Sequence, residues 1–142
     1  MKKIIVFSIL GTVLSASIIA QKIEMSSVPA AVKSSFEKKF PGIKAKWEKE
    51  DGKYEAGFKQ DGKTMSAMFE ANGTFTESEM DIKVTELPAN VLSYVKSHYK
   101  GKSIKEGAKI TKADGTVNYE AEVNDKDVIF NGEGKFLKET KE

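Results

Sequence analysis

Apolar residues follow two different periods along this chain, one after the other. Val32, Phe36 and Phe40 are spaced four residues apart, which places them on one face of a helix. From Ile43 onward, apolar and polar residues alternate instead, and alternation is typical of a strand with one buried face. The pattern therefore predicts an amphipathic helix followed by half-buried antiparallel strands.

Turn-forming pairs interrupt the alternating stretch at intervals of about ten residues. Asp51-Gly52, Asp61-Gly62 and Asn72-Gly73 accept the positive φ angles that tight hairpins require. Between these turns the chain is long enough for a meander of neighbouring strands. The predicted strands are about 43–50, 53–60, 63–70 and 74–80.

The predicted helix carries signals for its start and its end. Ser26-Ser27 supplies hydroxyls that are expected to cap the first turn, and Pro29 suits a position within that turn. Pro41-Gly42 then ends the helix. The unit therefore consists of one helix and four strands.

The chain contains this unit twice. Val28-Pro29-Ala30 corresponds to Leu87-Pro88-Ala89, and Tyr54-Glu55-Ala56 corresponds to Tyr119-Glu120-Ala121. Small insertions and deletions separate the copies at the positions predicted as loops. The two repeats span about 28–82 and 87–141.

The second copy repeats the same pattern of elements. Val91, Val95 and Tyr99 form the apolar stripe of its helix, and Gly101 takes the place of Gly42. Alternating stretches follow, separated by their own turn residues. The predicted strands are about 103–112, 116–124, 126–131 and 135–140.

The connection between the copies has no flexible linker. Residues 81–86 lack the Pro/Gly/Ser-rich composition of a mobile spacer. A unit of about 55 residues is also small for an independent core, so the halves are expected to share one. We therefore predict an α+β fold in which two tandem repeats of one helix and a four-stranded antiparallel meander form a continuous sheet, with both helices on one face.

The N-terminus has the parts of a secretory signal peptide. Lys2-Lys3 precedes an apolar run, and Ala20 offers a small residue before a cleavage site. The predicted signal peptide is residues 1–20, and the mature protein is a single domain of residues 21–142. We expect a periplasmic or secreted product that has no membrane segment after cleavage.

Charge and composition narrow the class of partner. Removal of residues 1–20 takes Lys2 and Lys3 from the 23 basic residues and none from the 21 acidic ones, so the mature charges balance. All basic residues are Lys, so the planar guanidinium that grips phosphate with two bonds is absent. The chain also has no Cys. Nucleic acid is therefore not an expected partner, and stability must come from packing.

Three segments resemble the PepSY-like family. They are Val28-Pro29-Ala30, Phe40-Pro41-Gly42 and the run from Trp47 to Glu55, which reads Trp-Glu-Lys-Glu-Asp-Gly-Lys-Tyr-Glu. The resemblance covers nearly the whole mature chain and is looser in the second copy, where Lys100-Gly101 replaces Pro41-Gly42. The family is similar in fold to beta-lactamase inhibitory protein, whose concave sheet clamps an enzyme. The resemblance implies an extracytoplasmic binding or inhibitory module, with peptidases among its targets.

The residues give little support to catalysis or to metal binding. His98, the only histidine, corresponds to a surface lysine of the first repeat, and a single His without Cys does not make a zinc site. Asp125 and Asp127 lack the spacing of an EF-hand loop and fit a hairpin turn. Glu48 and Glu50 lie on one face of a strand, as residues of a polar sheet face do. We predict no enzyme, no metal and no cofactor.

The sheet face opposite the helices is the predicted binding surface. If Phe69 and Phe130 point inward, then Met68 and Ile129 point outward at matching places in the two repeats. Apolar residues on a polar face are able to anchor a partner, but they also occur as scattered surface residues, and a register error of one residue exchanges the faces. The polar residues predicted around them are Glu55, Lys59, Ser66, Glu120 and Glu122.

These features favour a non-catalytic exported module that binds another extracytoplasmic protein. Inhibition of an enzyme such as a peptidase would then follow from occupation of its cleft. A carrier or sensor of a small ligand or peptide is the alternative, as is a structural protein of the cell envelope. Trp47 is predicted to lie in the core, with ligand stacking as its alternative role. The sequence leaves the oligomeric state open.

Overall fold

The computed structural model describes residues 20–141. All of the predicted signal peptide except Ala20 therefore lies outside the described residues. Within them the chain forms two α-helices and nine β-strands, so the α+β class is confirmed. None of the helices in residues 20–141 is long and apolar enough to cross a membrane.

One antiparallel sheet contains every strand of the described chain. The strands are hydrogen-bonded in their order along the sequence, from β1 at one edge to β9 at the other. Helix α1 precedes β2, and helix α2 lies between β5 and β6. The helices are α1 (Ala30–Lys39) and α2 (Ala89–His98), and the strands are β1 (Gln21–Ile23), β2 (Lys46–Glu50), β3 (Lys53–Gln60), β4 (Lys63–Phe69), β5 (Phe75–Ile82), β6 (Ile104–Lys112), β7 (Val117–Val123), β8 (Lys126–Asn131) and β9 (Phe136–Lys141).

The order of elements is close to the predicted doubled unit, with differences near the start of the first copy. Strand β1 was not predicted; it pairs with β2, with Ile23 opposite Trp47. Strand β2 begins at Lys46 rather than near residue 43, although Ile43 still packs against the core. Three residues are too short to show a period, which explains why β1 has no signal in the sequence.

The start of α1 also differs from the prediction. Ser26 and Ser27 lie in a short 3-10 turn, Met25–Ser27, and they do not cap the α-helix. Pro29 is the residue immediately before the helix, which begins at Ala30 without a side-chain cap. Because proline already has a φ close to the helical value, it defines this start without a hydroxyl.

The predicted hairpins are present at the expected pairs. Asp51 and Gly52 have φ of 46° and 76°, and Asp61 and Gly62 have φ of 52° and 77°. Positive φ at both central residues matches the twist of the flanking strands. Asn124-Asp125 has φ of 54° and 59°, which confirms the predicted hairpin turn at this position.

The first core lies between α1 and the strands of the first half. The Phe36 ring is 5.3 Å from the rings of Phe40, Trp47 and Phe58, measured between centroids. Phe69 contacts the same ring at 6.3 Å and has no exposed surface. The predicted core position of Trp47 is therefore confirmed.

The second core lies between α2 and the strands of the second half. Val91 and Val95 of the helix pack with Val123, Val128 and Phe130 of β7 and β8. A direct line of strand partners leads from one core to the other, since Met65 is opposite Met80, which is opposite Lys109, which is opposite Tyr119. Directly opposed residues share a face, so both helices cover the same side of the sheet.

Candidate functional site on the open sheet face

The strand register identifies the residues of the opposite side, which we call the open face. Phe69 and Phe130 point into the two cores, so the neighbouring Met68 and Ile129 point to the open face, as predicted. Met68 lies opposite Glu55 and Glu77 in the adjacent strands. Both helices of the described residues lie on the other side, so the open face has no helix layer.

Acidic side chains dominate the open face and many of them are buried. Glu79 retains only 2% of its surface exposed, and Glu120 and Glu122 retain 6% and 4%. Carboxylates are seldom buried to this degree without a specific role or partner. The acidic residues that the register places on this face are Glu48, Glu50, Glu55, Glu77, Glu79, Asp81, Glu106, Glu120, Glu122 and Asp127.

Glu79 occupies the middle of this set, in strand β5. Its direct strand neighbours are Ser66 in β4 and Ile110 in β6. Within residues 20–141 neither of its carboxylate oxygens has a hydrogen-bond partner. Burial raises the pKa of Glu79 well above its usual value, and the charges of Glu120 and then Glu55 raise it further. A buried carboxylate in this state is costly unless a cation or a proton neutralises it.

Glu55 of β3 belongs to the same electrostatic group. Burial raises its pKa from 4.5 to about 7, a hydrogen bond from Ser66 partly offsets the rise, and Glu48 and Glu50 add repulsion. The central carboxylates therefore repel one another, and a proton or a cation on one of them relieves this repulsion. Mutual repulsion of this kind is a feature of sites that bind charged groups, although structural clusters also show it.

Two lysines pair with acidic residues towards the margins of the group. The Lys112 ammonium lies 3.3 Å from an Oε of Glu77. The Lys105 ammonium lies 3.7 Å from Glu122 and 2.8 Å from Asp125. These contacts offset charge on both sides of the Glu79 position.

The structure brings together most of the residues predicted for the binding surface. Glu55 is opposite Met68, and Glu120 is opposite Ile129. Ser66 is near the centre, whereas Lys59 lies towards the end of β3, opposite Thr64. Ile129 retains only 6% exposure, so it offers little apolar surface to a partner, while Met68 and Ser66 are only partly buried. The binding role of these residues remains a prediction.

The acidic residues of β5 were missed in the sequence-based prediction. Glu77, Glu79 and Asp81 alternate with Ser78 and Met80, so they share one face of the strand. That alternation was visible in the sequence. Their neighbours in β6 were not, because the pairing of β5 with β6 joins the two halves of the chain.

The single histidine is an exposed helix residue, unlike the buried carboxylates of the open face. His98 lies on the exposed surface of α2, where its ring stacks on Tyr94 with 3.8 Å between centroids and its Nδ1 is 3.0 Å from the Tyr94 carbonyl. The prediction of a helix-surface histidine is confirmed. No group of three or more His, Cys, Asp or Glu in this part of the chain has a geometry that holds a metal ion.

Several solved structures share the fold. A BLIP-like protein from Bacteroides fragilis NCTC 9343 is 22% identical, with a TM-score of 0.65 over 79% of this chain and 85% of its own. A DUF2874 family protein from Bacteroides ovatus ATCC 8483 is 21% identical, with a TM-score of 0.70 over 80% and 87%. A protein of Bacteroides eggerthii DSM 20697 described as "putative periplasmic" is 17% identical, with a TM-score of 0.68 over 80% and 88%.

The solved structures show the fold, and a family profile identifies the family. Comparison with curated proteins gives no match. The profile of one family matches residues 15–77 and again residues 52–138, which together span most of the chain. The protein therefore belongs to the PepSY-like family, described as "Putative beta-lactamase-inhibitor-like, PepSY-like".

Proposed function

We propose that this protein is a non-catalytic, exported binding module that docks an extracytoplasmic protein on its open face. The observation that carries the proposal is the open face itself, where buried and mutually repelling carboxylates surround the partly exposed Met68 and Ser66. A sheet face that is only exposed to solvent does not require buried carboxylates. Burying them lowers the stability of the fold, and such a loss is typical of surfaces retained for binding.

The comparisons support the location and the class. The solved neighbour from B. eggerthii is described as periplasmic, in agreement with the secretory signal predicted in residues 1–20. The B. fragilis neighbour is described as BLIP-like, and an inhibitor acts without catalytic residues of its own. We propose that this chain is an inhibitor that works without catalytic residues of its own, by occupying the surface of an enzyme such as a peptidase.

The doubled unit supports a broad contact surface. Helix α1 with β2–β5 and helix α2 with β6–β9 repeat one arrangement, which we attribute to a tandem duplication. Joining the two copies edge to edge extends the open face across both. A wide face suits a protein partner better than a small ligand, which binds in a concave pocket.

A matched pair of substitutions tests the proposal. Met68→Lys places a charge on the open face, whereas Leu92→Lys makes the same kind of change on α2, where Leu92 is 38% exposed. Each purified protein is used to capture partners from extracytoplasmic extract, and a recovered partner is then purified and titrated. We expect Leu92→Lys to bind as the unchanged protein does and Met68→Lys to bind at least about tenfold more weakly.

The result that contradicts the proposal is equal binding by both variants, since the contact would then lie outside the open face. Ile129→Lys is not used because Ile129 is buried and its change would disturb folding. Thermal unfolding of both variants is the control. A loss of binding counts only where the melting temperature stays within a few degrees of that of the unchanged protein.

A further inference from the structure

Glu79, near the centre of the open face, is a buried carboxylate without a hydrogen-bond partner in the described part of the chain. It is 2% exposed, and neither carboxylate oxygen has a donor in residues 20–141. Glu120 and Glu55 lie close enough to add repulsion to its charge. To be stable in its ionised form, such a carboxylate needs hydrogen-bond donors and a positive charge next to its oxygens.

We propose that the open face receives a cationic side chain, lysine or arginine, of a partner protein at Glu79, flanked by Glu55 and Glu120. The inference rests on the proposed binding function and specifies the chemistry of the partner. Ser66, directly opposite Glu79, and Met68, two residues further along β4, are only partly buried, so a partner is expected to approach Glu79 on this side. A long side chain that enters there brings several N–H donors to the unpaired oxygens.

Charge complementarity favours this occupant over a metal ion. The described residues contain no group of three or more ligands arranged to hold a metal. A guanidinium or ammonium has less strict demands, since its donors reach carboxylates several ångströms apart. The chain itself has no Arg, so a guanidinium has to come from another molecule.

The neighbours of Glu79 define how binding depends on pH. Ser66 of β4 and Ile110 of β6 lie directly opposite Glu79, and Glu77 and Asp81 flank it within β5. Met68 and Lys112 lie opposite Glu77, one place along the same face. Glu120 of β7 and Glu55 of β3 add the longer-range charges. Since the pKa of Glu79 is raised in the free protein, a bound cation lowers it again and displaces a proton. Binding is therefore expected to release protons and to tighten as the pH rises.

The test measures the binding of fluorescein-labelled hexa-arginine and hexalysine to the protein expressed from its full sequence and purified. Glu79→Gln/Glu120→Gln removes two ionisable carboxyl groups from the open face. Glu24→Gln/Glu133→Gln removes two carboxyl groups at exposed positions and is the matched control. We expect the open-face double variant to bind about tenfold or more weakly and the control to change by less than about twofold.

Calorimetry in buffers of different ionisation enthalpy gives a second readout. Binding by the unchanged protein should release protons, and Glu79→Gln should release fewer. Equal weakening in both double variants would overturn the inference, because general electrostatics would then explain the binding. So would absence of binding by either peptide. Binding of Ca²⁺ alone that is lost in Glu79→Gln would also overturn it, in favour of a metal site.

Stability separates a binding role of Glu79 from a structural one. Gln has nearly the same shape without the charge, so Glu79→Gln is expected to raise the midpoint of urea unfolding at pH 8. The gain should be smaller at pH 5 than at pH 8, because the raised pKa of Glu79 favours uptake of a proton as the pH falls. A variant that loses both stability and binding would show a structural role and contradict the inference.

Failure of the cationic contact is distinguishable from failure of the binding face. If a natural partner no longer binds Met68→Lys but binds Glu79→Gln normally, the binding face is supported and the cationic contact at Glu79 is contradicted. If the partner still binds Met68→Lys, the proposed binding face itself is contradicted.

Discussion

Glu55 shows how the position of a single residue on this sheet changes its chemistry. The group ordinarily titrates near 4.5, and burial on the open face raises the pKa to about 7. Ser66 donates a hydrogen bond to it, and Glu48, Glu50 and Glu77 surround it with like charge. The folded protein therefore binds a proton at this site more tightly than the unfolded chain does.

This difference predicts a pH dependence of stability. Between about pH 4.5 and pH 7 the folded state holds a proton on Glu55 that the unfolded state has lost. The contribution of Glu55 is therefore present below that interval and is lost as the pH rises through it, with a magnitude on the order of 2–3 kcal/mol. Urea unfolding followed by Trp47 fluorescence at about pH 5 and pH 8 measures it.

Glu55→Gln should reduce the fall in unfolding free energy between those two pH values by about 2 kcal/mol. Glu133→Gln is the control, since Glu133 lies exposed on a turn and should leave the fall unchanged. A wild-type stability that rises from pH 5 to pH 8 would show that the sign of this argument is wrong.

At the scale of elements, one glycine turn packs closely against each helix. The turn between β4 and β5 brings Gly73 against α1, where an added Cβ would lie 2.6 Å from the Ala31 carbonyl oxygen. The turn between β8 and β9 brings Gly134 against α2, where a Cβ would lie 2.8 Å from that of Asn90. The same contact therefore occurs in both repeats, and Asn90 adds a hydrogen bond of 2.9 Å to the Glu133 carbonyl.

Substitution of these glycines should separate contact from backbone strain. Gly52 has φ of 76°, and a Cβ added there would meet no atom within 4 Å, so Gly52→Ala reports the left-handed backbone alone, about 1–2 kcal/mol. Gly73 has φ of 89° and also meets Ala31, so Gly73→Ala should cost at least about 2 kcal/mol more. Chemical denaturation of the two variants measures the difference. Equal losses would show that the helix moves freely away from the turn.

At the scale of the whole molecule, one sheet joins two cores. Residues Glu77–Ile82 of β5 pair with Gly107–Lys112 of β6. The last strand of the first half therefore covers the open edge of the second half, and the reverse also holds. Neither half buries this edge by itself. The halves are therefore expected to unfold together in one transition.

A substitution in one core tests whether the other core responds. Val95 lies in the second core and is 3% exposed, whereas Trp47, the only tryptophan, lies in the first. Val95→Ala should cost on the order of 2 kcal/mol and lower the unfolding midpoint seen by Trp47 fluorescence as much as the midpoint seen by far-UV circular dichroism. An unchanged fluorescence midpoint would show that the halves unfold separately.

The local elements were largely predictable because their signals are local. Strands β3 (Lys53–Gln60) and β8 (Lys126–Asn131) have the predicted bounds, because turn residues mark them: Asp-Gly pairs on both sides of β3 and Asn124-Asp125 before β8. The start of α1 was predicted less well. The Ser26-Ser27 hydroxyls suggested a cap, but the chain turns before it reaches the helix and Pro29 takes that position.

The candidate site was predictable only in outline. The alternation around Phe69 and Phe130 identified the open face and placed Met68 and Ile129 on it. The burial of Ile129 was not visible, because it depends on how the side chains of β7 and β9 pack around it. The central place of Glu79 was not visible either, because it depends on the pairing of β5 with β6 of the second half.

The sequence by itself determined the periods, the turns and the doubling of the unit, because each of these is encoded within a few neighbouring residues or by comparison of one copy with the other. The tertiary structure alone decided which carboxylates meet. Strand β4 places Glu55 of β3 near Glu79, and the pairing of β5 with β6 brings Glu120 of β7, from the other half, into the same field. Burial and repulsion then change their proton affinity, and neither quantity exists until the strands are assembled.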